Sequence, residues 1–234
     1  PPVLMVAGTW QWTSGFMFET FGWRAIVAVI INAVGVALIL RKDLRRREDR
    51  LPNTKVTVPW GLSILHLLFL AAIVLTNHHP VIFLGIFLFF LGMVAITSEY
   101  QTEIKLKESL LVAFFLGGLV VLGGPQKWWL APLMSNLTEL PLYLGTIGLT
   151  AVTDNAALTY LGSQLDNLTD SFKYFLVAGA VVGGGLTVIA NAPNPAGNAI
   201  LQGSFGKDGI QPLKLLLAAI GPTLVALIIF LVGR

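Results

Sequence analysis

Long apolar stretches alternate with short polar ones along the whole chain. Five of them are nearly unbroken: residues 23–40, 58–76, 81–97, 109–124 and 213–232. Apolar runs of roughly 18 residues are long enough to cross a bilayer as a helix, so each of the five predicts a membrane span. Two further stretches, 139–165 and 172–203, are equally apolar but broken in the middle. The first break holds Thr153, Asp154 and Asn155, and Asp154 is the only charge between Leu140 and Leu165. The second runs from Asn191 to Gly197 and includes Pro193, Asn194 and Pro195, with Asn198 just beyond it and no charge between Phe175 and Gly206.

The polar linkers set the expected topology. Arg41, Lys42, Arg45, Arg46, Arg47 and Arg50 follow the first span at once. Basic residues mark cytoplasmic loops, so residues 41–57 are placed inside. Span 58–76 then runs outward, with Trp60 as an interface anchor, to an external turn at Asn77, His78, His79 and Pro80. Span 81–97 returns inward, a linker of mixed charge with Lys105 and Lys107 follows, and span 109–124 goes out again. Its Gly117, Gly118, Gly123 and Gly124 allow close helix packing. Residues 125–139, with Lys127, Trp128 and Trp129, read as an amphipathic segment on the outer surface. Residues 1–21 contain prolines, glycines and Glu19. They read as the tail of a helix plus an interfacial loop, or as the second half of a broken helix.

At ~1.5 Å of rise per residue, residues 140–155 enter from outside and bring Asp154 to about mid-depth. The next linker carries Asp166 and Asp170 and no Lys or Arg up to Ser171, which places it outside as well. A re-entrant hairpin over 140–165 returns to its starting side and a single span does not, so the hairpin is expected. Residues 172–190 then run inward. Residues 191–197 are expected to be irregular because each proline removes a backbone donor, a half-helix resumes at Asn198, and Lys207 marks the cytoplasmic side. The predicted fold is all-α, a polytopic membrane protein.

Composition narrows the chemistry. The chain has 234 residues, 55% hydrophobic and 12% charged, with mean hydropathy +0.78, whereas soluble domains carry about 25% charged residues. The sequence pI near 9.3 comes from basic linkers between apolar runs, not from a nucleic-acid groove. There is no cysteine, which removes thiol catalysis, cysteine-ligated metal and disulfides. HExxH and GxSxG are absent too, so no enzyme is expected. His66 within the second span reads as a packing residue. The chain begins at Pro1 and Pro2 and reads as part of a longer polypeptide.

Irregular backbone survives in hydrocarbon only where protein buries it or where it lines a polar cavity. The two breaks are therefore expected to meet. A mid-membrane carboxylate costs roughly 2.5–3.5 kcal/mol even on the lenient insertion scale, and a cation or proton offsets that cost. Asp154 offers charge. Thr150, Thr153, Asn155, Asn191 and Asn194 offer neutral oxygens, and unwound backbone offers carbonyls. Half-helix N-termini permit an anion instead, but the single Asp and the absence of Arg or Lys in either break favour a cation.

The stretch Thr153, Asp154, Asn155, Ala156, Ala157, Leu158, Thr159, followed by Asn191, Ala192, Pro193, Asn194, Pro195, Ala196, Gly197, resembles the bacterial sodium/proton antiporters of the ion-transporter superfamily, which also holds arsenite permeases and sodium-coupled dicarboxylate symporters. The resemblance implies two inverted repeats, each with a re-entrant hairpin and an unwound helix. Residues 1–40 would end the first repeat, and the first hairpin would lie on a preceding part or on a separate chain. Residues 58–124 would act as scaffold and 140–234 as the transport part. It implies Na⁺ and H⁺ as transported ions with no cofactor, a multi-pass protein of the bacterial inner membrane, and a homodimer. The expected ion-binding residues are Thr150, Thr153, Asp154, Asn155, Asn191, Pro193, Asn194, Pro195 and Asn198, with Asp154, Asn155 and Asn194 as sodium ligands. The rival readings are an anion transporter, separable by uptake of labelled anion, and a membrane scaffold subunit.

Overall fold

The computed structural model describes residues 2–47, 57–76, 79–101, 103–104, 106–126, 128–129, 132, 137–206 and 208–232. The expectations for Pro1, Arg50, Asn77, His78, Lys105, Lys127 and Lys207, and for residues 130, 131 and 133–136 of the outer segment, lie outside these residues. Among those described, every regular element is helical. The helices are α1 (Pro2–Ala7), α2 (Ser14–Met17), α3 (Trp23–Ile39), α4 (Arg41–Arg47), α5 (Trp60–Leu75), α6 (Pro80–Ile96), α7 (Leu106–Gly123), α8 (Glu139–Thr150), α9 (Asn155–Ser163), α10 (Asp170–Gly183), α11 (Asn194–Leu201) and α12 (Pro212–Val232).

Among the described residues, three helical stretches are long and apolar enough to cross a membrane: Ser14–Ile39, Ser109–Gln126 and Pro212–Val232. The first starts nine residues before the expected span at Trp23. A π-helical turn, Phe18–Gly22, fuses α2 to α3, so the aromatic run before Trp23 continues the helix instead of forming a loop. Wider turns of this kind free carbonyls, and here Arg24 uses them. Its Nη1 donates to the Thr20 carbonyl and, at 3.4 Å, to that of Glu19. The guanidinium also lies over the Trp23 ring at 4.6 Å, which shelters a charged residue within this helical stretch.

The chain forms two compact units, Arg45–Lys105 and Pro1–Leu44 with Leu106–Arg234. In the smaller unit α5 and α6 pair through Phe69, whose ring lies 5.6 Å from Phe89 and 5.5 Å from Phe90. His66 is spent on this packing: Nδ1 is 2.7 Å from the Leu62 carbonyl and the ring meets Phe90 edge-on. The outward faces of both helices are apolar and exposed, as at Leu67, Val81 and Ile96. Apolar surface on that scale is covered by lipid or protein, not by water.

The larger unit is organised on α10, whose residues from Tyr174 to Ala180 are all buried. Its glycines let α8 come close. A Cβ on Gly179 would stand 2.8 Å from the Tyr143 carbonyl oxygen, and one on Gly183 would stand 2.7 Å from that of Ile147. Four residues along α10 match four residues along α8 in the same sense, so the two helices run in the same direction. The α9 helix runs the other way, because Asn155 at its start lies against Gly184 and Gly162 near its end lies against Leu176. The chain therefore reverses between α8 and α9. The α12 helix is tied to the same body by side chains that donate to its carbonyls: Asn32 to Pro222 at 3.1 Å, Tyr143 to Leu227 at 3.0 Å and Tyr174 to Phe230 at 2.6 Å.

One boundary differs from the sequence expectation. The second break spans residues 184–193, and helix resumes at Asn194, not at Asn198. The unwinding begins where Gly184 and Gly185 end α10. Pro193 sits at the N-cap of α11 and Pro195 in its first turn. A helix start makes no use of those N–H groups, so prolines there cost little. Of the three glycines on α7, only Gly123 mediates a close approach; a Cβ there would fall 2.5 Å from the Tyr160 ring, whereas Gly117, Gly118 and, just past the helix, Gly124 face open space.

Candidate ion site

The first break is four residues long, from Ala151 to Asp154, and Asp154 closes it. The first N–H groups of a helix have no partner within the helix. Asp154 supplies one as the N-cap of α9: Oδ1 accepts from Ala156 N at 2.8 Å and Ala157 N at 3.1 Å. A negative charge at this end also complements the helix dipole. The other carboxylate oxygen makes no hydrogen bond among the described residues. Asp154 is only 9% exposed, and it lines a cavity of about 380 Å³ together with Thr153, Asn191, Ala192 and Pro195.

The two breaks are bonded to each other. Asn155 N donates to the Ala190 carbonyl at 3.1 Å, and Thr187 Oγ1 donates to the Ala151 carbonyl at 2.8 Å. Both bonds serve groups that a regular helix would have satisfied internally. Within the longer break, Asn194 Nδ2 bridges the carbonyls of Gly184 and Thr187, each at 2.8 Å. That amide holds the loose end of α10 against the start of α11.

Three side-chain oxygens are unmet. The side-chain amide oxygens of Asn155, Asn191 and Asn198 are buried and have no hydrogen-bond partner among the described residues. An unpaired buried acceptor costs roughly 1–3 kcal/mol, and three of them call for a ligand that accepts lone pairs. One carboxylate and neutral amide oxygens are a hard-cation donor set. Among the described residues there is no group of three or more His, Cys, Asp or Glu that could hold a metal ion, so the set does not suit a transition metal.

The candidate residues thus divide. Thr153, Asp154, Asn191 and Pro195 line one cavity, and Asn155 is joined to the same two breaks. Asn194 points its nitrogen inward as a brace, and Pro193 shapes the α11 start. Thr150 lies elsewhere: fully buried, it packs against Gly183, and its hydroxyl donates to the Thr146 carbonyl at 2.7 Å. The Thr153 hydroxyl donates to Leu149 O at 2.8 Å and keeps its lone pairs. Three kinds of contributor escaped sequence reasoning. Thr187 sits in an apolar run with nothing to distinguish it. The Ala151 and Ala190 carbonyls are backbone groups. Leu111, Val112 and Phe115 of α7, which complete the cavity wall, are apolar residues on an apolar helix.

Comparison with known proteins identifies the family. A family model described as "Putative Na+/H+ antiporter" matches residues 1–232. No curated protein and no solved structure matches the chain. Since the family match runs through both breaks and all the candidate residues, the chain belongs to this Na⁺/H⁺ antiporter family: it is an integral membrane transporter, not an enzyme.

Proposed function

We propose that the chain exchanges sodium for protons by alternating access, with Asp154 as the carboxylate for which the two ions compete. The observation that carries this reading is a capping carboxylate on the first break together with unmet buried amide oxygens at both breaks. The Ala156 and Ala157 N–H groups are taken by Asp154, the Asn155 N–H by Ala190, and the Asn194 amide by Gly184 and Thr187. The three amide oxygens are left. Beside the Asp154 carboxylate, unmet amide oxygens suit a cation.

In this reading the α8–α9 reversal is a re-entrant hairpin, and the long break belongs to an inverted-repeat fold in the bacterial inner membrane. One carboxylate is enough to couple the ions. It holds Na⁺ or H⁺ but not both, and exchange follows if the empty, ionised form crosses slowly. The test is a pH-jump assay of the full-length protein in proteoliposomes with Na⁺, Li⁺, K⁺ and labelled dicarboxylate or arsenite. Na⁺-driven proton movement that vanishes in Asp154→Asn is expected. Normal exchange by that variant, or uptake of an anion without Na⁺/H⁺ exchange, would overturn the reading.

A further inference from the structure

The cavity at Asp154 has two unlike sides. One carries Thr153 and Asp154 of the first break and Asn191 of the second. The other is the face of α7 that presents Leu111, Val112 and Phe115, which offers only carbon. This face is set by the same packing that fixes α7 on α9. Tyr160 Oη donates to the Val120 carbonyl at 2.9 Å, and its ring fills the space over Gly123. Val112 lies about three helical turns before Gly123, on the same side of α7. The end of α7 thus docks on α9 while its middle walls the cavity.

We infer that Leu111, Val112 and Phe115 form the selectivity wall of the ion cavity, giving the cation no ligand and fixing by their bulk how many waters it keeps. The inference rests on the sodium/proton reading and deepens it. The cavity of about 380 Å³ exceeds one bare ion many times over, since a single water occupies about 30 Å³. A cation at Asp154 is therefore ligated by protein from the break side and by retained water on the α7 side. Discrimination between cations then depends on the width left for that water, not on a closed ring of protein oxygens. The apolar wall also keeps the effective dielectric low beside the carboxylate, which strengthens its hold on a cation.

Three substitutions in the full-length protein test this. Phe115→Ala widens the cavity and is expected to lower the discrimination of Na⁺ over K⁺, measured as the ratio of apparent KM values, by about fivefold or more. Phe114→Ala makes the same truncation on a residue that is 76% exposed and outside the cavity, and it should keep the parent ratio. Val112→Thr adds one oxygen without changing shape and should lower the apparent KM for Na⁺ about threefold. Equal ratios in Phe115→Ala and Phe114→Ala would overturn the wall. Should Phe115→Ala fail to fold, Val112→Cys decides, because the chain has no other cysteine. Na⁺ should slow its labelling by a small charged thiol reagent several-fold, and Asp154→Asn should remove that protection; labelling indifferent to Na⁺ would overturn the proposal. Exchange persisting in Asp154→Asn would defeat the antiport reading itself. A dead Asp154→Asn beside an unchanged Phe115→Ala ratio would defeat the wall alone.

Discussion

The two breaks solve one problem in opposite ways. The short one, residues 151–154, carries a charge and closes itself: the same Asp154 that ends the irregular stretch caps the helix that follows. The long one, residues 184–193, carries no charge and is closed from outside. Its carbonyls are served by Asn194 and by the backbone of Asn155, and its Thr187 reaches across to Ala151. Charge is costly in a membrane, so a single carboxylate is placed where a helix start already stabilises it. Shape costs less, and the longer break is built from glycine, asparagine and backbone. The chemistry of the site is concentrated in the first break, and its geometry depends on the second.

The sharpest way to break that contrast is to remove the charge and keep the cap. Asn serves as an N-cap about as well as Asp, so Asp154→Asn should fold normally, with a melting temperature in detergent within a degree or two of the parent. Na⁺/H⁺ exchange in proteoliposomes should nevertheless fall at least about 100-fold. Loss of folding with loss of exchange would make Asp154 a structural residue.

The next largest effect concerns the packing that brings the breaks to one place. Ala is intrinsically better than Gly in a helix by about 0.8–1 kcal/mol. At Gly183 the added Cβ would meet the Ile147 carbonyl oxygen at 2.7 Å and the Thr150 side chain at 2.8 Å. A backbone carbonyl cannot rotate away, and overpacking of this kind costs about 1–3 kcal/mol. The clash should win, so Gly183→Ala lowers thermal stability. Gly185→Ala, with nothing within 4 Å of its Cβ, should leave stability near the parent value. Equal melting temperatures for the two variants would remove the close α8–α10 approach from the account.

The membrane class and the position of both breaks were legible in the sequence, because charge and proline inside apolar runs are conspicuous against a strong background. The reversal at Asp154 could be argued from the acids of the following linker. The extent of the second break could not. Proline was read as a helix breaker throughout, yet Pro193 and Pro195 stand at a helix start, where their missing N–H is no loss. The true breakers were Gly184 and Gly185, and two more glycines in an apolar helix look like packing residues. Thr150 offers an oxygen by residue type alone; in the structure its methyl side faces Gly183 and its hydroxyl donates to the Thr146 carbonyl. Pattern reports the periodicity of burial, but not which neighbour fills a given gap.

A smaller effect is expected at the brace. Asn194→Ala leaves the Gly184 and Thr187 carbonyls without the amide that bridges them. The cost should fall in the ~1–3 kcal/mol range for an unmet buried acceptor. A drop in melting temperature should accompany a several-fold rise in the apparent KM for Na⁺, because the break that carries the Asn191 oxygen loosens. A raised KM at unchanged stability would instead make Asn194 a direct ligand.

The smallest effect separates the two breaks most cleanly. Thr187→Val keeps the shape of the side chain and removes only the hydroxyl that donates to the Ala151 carbonyl. A single such bond contributes about 0.5–1.5 kcal/mol, so folding should survive with a slightly lower melting temperature. The Asn155 N–H to Ala190 bond still joins the breaks, and Asp154 keeps its cap. If both breaks must hold a fixed spacing for the cation, the apparent KM for Na⁺ should rise about two- to threefold with little change in maximal rate. An unchanged KM beside the lower melting temperature would show that one backbone bond suffices to set that spacing, and that Thr187 contributes only to folding.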